Sequence, residues 1–96
     1  MAKYVLSGKA EEDLLDIYFY SFEQFGESQA DAYLMGLEER LETLAENPNL
    51  GRQIDHIREG YFRFEYVRHS IFYTQLDEGI FVVRVLHGSM DTEEHL

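Results

Sequence analysis

The stretch from Tyr61 to Leu86 leaves little choice of architecture. It holds three strand-like runs in succession, Tyr61 to Val67, Ser70 to Leu76 and Ile80 to Leu86, with only short connections between them. Phe62, Phe64 and Tyr66 alternate with Arg63 and Glu65, the period-2 signature of a strand with one buried face. Arg68-His69 predicts a tight turn, and Asp77-Glu78-Gly79 carries hairpin chemistry. Links this short make neighbouring strands antiparallel, so the segment predicts a three-stranded meander. Ile80 to Leu86 is the most apolar run and is expected to lie centrally. Arg63 and Arg84 fall inside strands. An arginine there needs a solvated face or a partner. One sheet face is therefore expected to be covered by something other than the chain's own core.

Upstream, the period changes. Lys3 to Ser7 is a short strand-like run. Ser7 then predicts an N-cap, with Ala10 at the third helical position and Glu11, Glu12 and Asp13 suiting the positive end of the helix dipole. Ala10, Leu14, Ile17, Tyr18, Ser21 and Phe25 recur at helical spacing, and Leu15, Phe19 and Phe22 widen that stripe beyond what one core contact needs. Gly26 ends a first helix over about 8–25. Ala30, Tyr33, Leu34, Leu37, Leu41, Leu44 and Ala45 mark a second over about 28–46, stopped by Asn47-Pro48. The break at Gly26 is so short that the two must fold back as an antiparallel hairpin. Residues 49–60, punctuated by Gly51 and Gly60, are expected as a loop. The order is strand, helix, helix, strand, strand, strand. That makes an α+β fold in a single domain over residues 1–96, with the helical hairpin covering one face of the sheet.

Composition narrows the function classes. The 96 residues include no cysteine, which excludes a disulfide scaffold, a thiol nucleophile and a thiolate metal site. No apolar run is long enough to cross a bilayer and the N-terminus lacks a signal-peptide core, so a cytoplasmic protein with no membrane contact is expected. The formal net charge of −11 opposes direct binding of a phosphate backbone. The charge is uneven. Residues 11–46 hold eleven acidic side chains against one base, Arg40, whereas five arginines and three of the four histidines fall between 52 and 87. The acidic half reads either as solvated helix faces or as a docking surface for a basic partner.

Several strings along the chain resemble the ParE branch of the RelE/ParE superfamily, the toxins of bacterial type II toxin–antitoxin pairs. They are Ala10-Glu-Glu-Asp-Leu-Leu-Asp-Ile17, Gln29-Ala-Asp-Ala-Tyr33, Leu41-Glu-Thr-Leu-Ala45 with Pro48 and Gly51 beyond, the aromatic-Arg strand Tyr61 to Phe64, and Arg84-Val-Leu-His87 with Met90-Asp91 after it. The resemblance implies a compact protein that inhibits DNA gyrase by protein–protein contact, without catalysis, and that a ParD-like antitoxin neutralises. RelE-like relatives cleave mRNA on the ribosome, using basic residues of the sheet and an acid/base group near the C-terminus. The acidic net charge departs from the usual basic toxin and speaks against a ribosomal role.

The candidate residues follow. Tyr18, Phe19 and Phe22 read either as core or as the docking surface for an antitoxin. Arg63, Arg84 and His87 are the candidate target-binding residues, and would be the catalytic ones in a nuclease, which needs a proton acceptor, a donor and a cation for the phosphorane charge. Arg84 and His87 lie three steps apart, on opposite sides of an ideal strand, unless the strand bends. Arg63 could equally pair with Glu65, and His87 could make a strand-end hydrogen bond. His87, Asp91 and His95 would align as metal ligands only on a helix, and Gly88 predicts an extended tail, so neither a metal nor a cofactor is expected. A plain interaction module without toxicity is the remaining class.

Overall fold

A computed structural model of the chain describes residues 2–88, 90 and 92–96. Strand β1 spans Lys3–Leu6, helix α1 Gly8–Phe25 and helix α2 Glu27–Glu46. A two-residue strand β2, Arg52–Gln53, precedes the meander β3 (Tyr61–Tyr66), β4 (His69–Leu76) and β5 (Gly79–His87), and a single turn α3 closes the chain at Thr92–His95. The five strands form one sheet in the order β1-β5-β4-β3-β2. All pairs are antiparallel except β1 with β5, which run parallel from Lys3↔Gly79 to Leu6↔Val82. The α+β order, the helical hairpin and the antiparallel meander are as the sequence indicates.

The hairpin packs on one sheet face. Leu37, Leu41 and Leu44 of α2, with Ala10 and Ile17 of α1, meet Phe62, Ile71, Tyr73, Ile80, Val82 and Val85 in the main core. Each of those leucines is fully buried, which stabilises the fold by roughly 1.5–3 kcal/mol apiece. Gly36 sits in mid-helix because the Tyr66 ring lies against it and a Cβ would collide with that hydroxyl. Gly79 has φ 144° and a Cβ there would collide with the Lys3 carbonyl, so the β4–β5 hairpin and the start of the parallel pair both need glycine there.

Strand β5 is bent. Phe72 pairs with Arg84 and Tyr73 with Val82, so Val83 is an extra residue, a β-bulge. Beside it β1 ends. The Ser7 amide donates to the Val82 carbonyl at 2.9 Å and its hydroxyl donates to the Val83 carbonyl at 2.7 Å. The same hydroxyl oxygen accepts from the Ala10 amide at 2.9 Å, so the N-cap of α1 is also its tie to the sheet. Past the bulge β5 has lost β1 as a neighbour, and Asp13 of α1 takes over. Its carboxylate accepts from Arg84 Nε at 2.8 Å, Arg84 Nη2 at 2.9 Å and the Val85 amide at 3.0 Å.

Four expectations are corrected. The expected loop 49–60 contains β2, and Ile54 after it is buried with Phe72 and Leu86 on the sheet face away from the helices. Ile57, Tyr61 and Leu96 pack on that cluster, so the chain's own loop and terminus cover part of the face expected to need a partner. The expected Arg68-His69 turn is centred one residue earlier, on Val67-Arg68, because His69 already pairs with both Tyr66 and His87. The expected extended tail closes on the α3 turn, with the Leu96 amide bonded to the Thr92 carbonyl at 3.0 Å.

Removing the Asp13 carboxylate strands a largely buried guanidinium and an edge amide together. Asp13→Ala is expected to lower the unfolding free energy by about 3 kcal/mol, read by urea denaturation, with partial recovery in Asp13→Leu/Arg84→Met because an apolar pair needs no counter-charge.

Candidate functional site

Two surfaces of α1 stand out, and both arise from its wide apolar stripe. On the outward side Leu15, Phe19 and Phe22 are exposed, Phe19 by 59% and Phe22 by 46%. Tyr18 lies among them, its ring 6.0 Å from that of Phe19 and 6.4 Å from that of Phe22, while its hydroxyl donates to Asp31 of α2 at 2.8 Å. The three aromatics singled out from the sequence therefore form one patch, with Tyr18 also bracing the hairpin.

On the opposite side α1 overhangs the end of the sheet and encloses a cleft of about 560 Å³. Ile17, Tyr20 and Phe25 form its α1 wall, Tyr33 its α2 wall, and Val67, His69, Val85 and His87 its sheet wall. Tyr20 is not among the residues singled out by the sequence pattern, and Phe25 belongs to the apolar stripe yet is exposed at the cleft. Their signal was available: Tyr20 follows Ile17 by three residues and Phe25 follows Ser21 by four, so both flank the buried edge of α1. Val67, by contrast, announces itself only through its conformation.

The polar end of the cleft is organised by Tyr33. Its hydroxyl shares a 2.7 Å hydrogen bond with His69 Nδ1, accepts from the Arg68 amide at 3.4 Å and lies 3.4 Å from the Tyr66 carbonyl oxygen. The His69 ring stands edge-on to that of His87, 5.4 Å away. Burial pushes the His69 pKa down to about 4, helped by the charges of His87 and Arg68 and opposed by Asp13. His69 is thus neutral at physiological pH.

Arg63, Arg84 and His87 do not assemble as a trio. Arg63 is on the face away from the helices, over the Phe72 ring at 5.6 Å, with its Nε donating to Ser70 Oγ at 3.2 Å and 3.7 Å from Glu65. Arg84 is tied to Asp13, the two side chains only 17% and 12% exposed. That hydrogen bond holds the guanidinium pKa above its usual value. The expectation of cations standing free on an open face is therefore corrected: the strand positions of both arginines are satisfied within the chain. Arg63 and His87 do meet at the rim of a second, shallow hollow around the β3–β4 turn, which Glu65 and Ser70 also line. Arg84 faces another hollow, beside Ser7, Lys9 and Leu96. His87 and His95 lie on different elements, and Asp91 lies outside the described residues. No helix among the described residues is long and apolar enough to cross a membrane.

A family model described as the ParE toxin of type II toxin–antitoxin systems matches residues 4–92. The chain belongs to the ParE toxin family. A protein named Toxin ParE1 from Mycobacterium tuberculosis (strain H37Rv) is 38% identical over 96 residues, covering 99% of this chain and 98% of that one. A Toxin ParE1 from Caulobacter vibrioides is also 38% identical over 96 residues, covering 100% and 99%. A solved structure titled as a chromosomal ParDE system from P. aeruginosa shares the fold, with a TM-score of 0.76 and 21% identity over 91% of this chain and 96% of that one. The family read from the opening strand, the two helices and the Arg84-Val-Leu-His87 string is thereby shown, and with it membership of a type II toxin–antitoxin system.

The half-buried His69 imidazole gives the family fold a pH signature here. The unfolded chain takes up a proton at His69 near pH 6.5, whereas the folded chain does so only near pH 4. Its contribution to stability is thus fully present above about pH 6.5 and is lost as the pH falls towards 4. Urea unfolding of the wild type and His69→Gln at pH 7.5 and pH 5 is expected to show a smaller loss in the variant, and the His69 ring resonances should titrate near 4 in NMR spectra.

Proposed function

We propose that this ParE-family toxin acts in the cytoplasm by binding DNA gyrase without catalysis, and that a ParD-like antitoxin neutralises it. The observation that carries the antitoxin half is the pair of exposed apolar surfaces on α1, the cleft and the Tyr18–Phe19–Phe22 patch, on a chain with a full-length family match. Exposed apolar area of this kind on a small domain marks a partner site. The ParDE title of the structural neighbour supports an antitoxin as that partner. Gyrase follows from the family resemblance. A toxin that holds gyrase on cleaved DNA needs only to bind that state better than the others, which asks for a shaped surface and no reacting groups. A nuclease would need a cation available to a phosphorane. Of the two arginines expected in that role, Arg84 is committed to Asp13 and Arg63 to Ser70 and Phe72, which leaves the exposed Arg68 of the turn. We place target contact at the Arg63–His87 hollow and give Arg84 an internal role in shaping the end of β5. Val67, Arg68, His69 and His87 line both the cleft and that hollow. An antitoxin segment seated in the cleft would shadow the target surface, which is a direct route to neutralisation.

Expression without the antitoxin is expected to stop growth, and the purified, folded toxin to block supercoiling by gyrase while cleaved complexes accumulate. Normal supercoiling at saturating toxin would remove the gyrase assignment. Tyr20→Ala and Phe25→Ala are each expected to weaken antitoxin binding about tenfold or more in calorimetry, as truncated aromatic anchors do.

A further inference from the structure

The turn between β3 and β4 has the wrong residue for its shape. Val67 sits at φ 52°, the only non-glycine residue with positive φ among those described. Two-residue hairpin turns that need such angles favour Asn, Asp or Gly. A branched Cβ makes that region a true outlier. Nothing inside the molecule asks for the side chain, which is 76% exposed. The backbone on either side is tied down: before it the Tyr66 carbonyl accepts from the Tyr33 hydroxyl at 3.4 Å, and after it the Arg68 amide donates to that hydroxyl at 3.4 Å and the Arg68 carbonyl accepts from the Gly88 amide at 2.8 Å. The strain is therefore fixed in place by α2 and by the residue after β5. It presents an isopropyl group at the mouth of the cleft, across from Tyr20 and Phe25.

We propose that Val67 is a specificity residue for the antitoxin, kept strained so that its side chain meets an apolar anchor of the segment that fills the cleft. This rests on the antitoxin reading above and adds the chemistry of the occupant: an amphipathic segment with apolar side chains towards Val67, Tyr20 and Phe25, and lysine or arginine towards the helical wall. The charge argument is on the chain itself. The helical wall belongs to a stretch with eleven acidic side chains and one base; Asp16 lines the cleft together with Asp13, which is held by Arg84, while the cleft's one arginine, Arg68, is on the β3–β4 turn. A second copy of this chain would bring the same negative charge to the contact.

The test pairs stability with binding, using the antitoxin encoded beside the toxin gene as the probe. Val67→Asn suits the turn and is expected to raise the Tm of the free toxin by about 4–8 °C, yet to weaken antitoxin binding about tenfold or more. Val67→Ala loses the contact but relieves only the part of the strain due to the branched Cβ, so it should weaken binding with a smaller rise in Tm than Val67→Asn. Binding by wild-type toxin should fall steeply as salt rises from about 0.05 to 0.5 M. The proposal is overturned if Val67→Asn binds as tightly as wild type, or if it lowers the Tm, which would give the side chain an internal task. Affinity indifferent to salt overturns the cationic occupant. Failure of the wild-type pair to associate at all overturns the antitoxin reading, and this proposal with it.

Discussion

The architecture turns on one joint. Three side chains, Ser7, Asp13 and Arg84, meet where β1 ends, α1 begins and β5 bulges. A sheet that loses a neighbouring strand halfway along exposes backbone donors and acceptors that must find other partners. Here the first two turns of a helix supply them. The Asp13 carboxylate works as a short substitute for a strand, taking the Val85 amide and fixing Arg84 by both of its facing nitrogens. Because that carboxylate is on α1, the joint also sets how far the helix overhangs the sheet. The cleft exists because α1 is anchored at its N-terminal end and stands off from the sheet at the other, where Tyr20 and Phe25 project.

This geometry separates roles that look merged along the chain. Arg84 and His87 belong to one short string, yet one is consumed by the joint and the other faces the cleft. Arg63 shares a ladder position with Phe72 and stays on the opposite face. A fold with a net charge of −11 has few cations to spare, and its two mid-strand arginines, Arg63 and Arg84, are held by internal partners. The surfaces left for other macromolecules are mainly apolar and aromatic. That balance fits recognition of proteins better than recognition of a phosphate backbone.

Much of the fold was legible. The alternation from Phe62 to Tyr66 is unambiguous because one face is buried and the other is not, and the Ser7 cap and Gly26 stop bracket α1 with standard chemistry. The bulge was hidden: Ile80 to Val83 are all apolar, so nothing in residue type marks where the register shifts. The parallel partner of β1 was also unreadable, since four residues carry too little pattern to name a neighbour seventy-six positions away. Asp13 looked like one more acid in a helix's first turns, and its counter-charge lies 71 residues on. In the site, Phe19 and Phe22 were visible as apolar excess on a helix. Tyr20 required the rotation of α1 against the sheet, and Val67 required a backbone angle that valine ordinarily avoids.

The parallel seam between the first and last strands carries a temporal consequence. As the chain leaves the ribosome, its opening four-residue segment finds no neighbour until Gly79 to Val82 emerge, while the helical pair, whose contacts are local, can form much earlier. Closure of the sheet is therefore deferred until that strand is available. Until then the growing polypeptide displays its aromatic helix without the sheet wall of the cleft, to which Val85 and His87 belong. A surface built by the helical pair alone is therefore on display before any surface that needs the whole sheet.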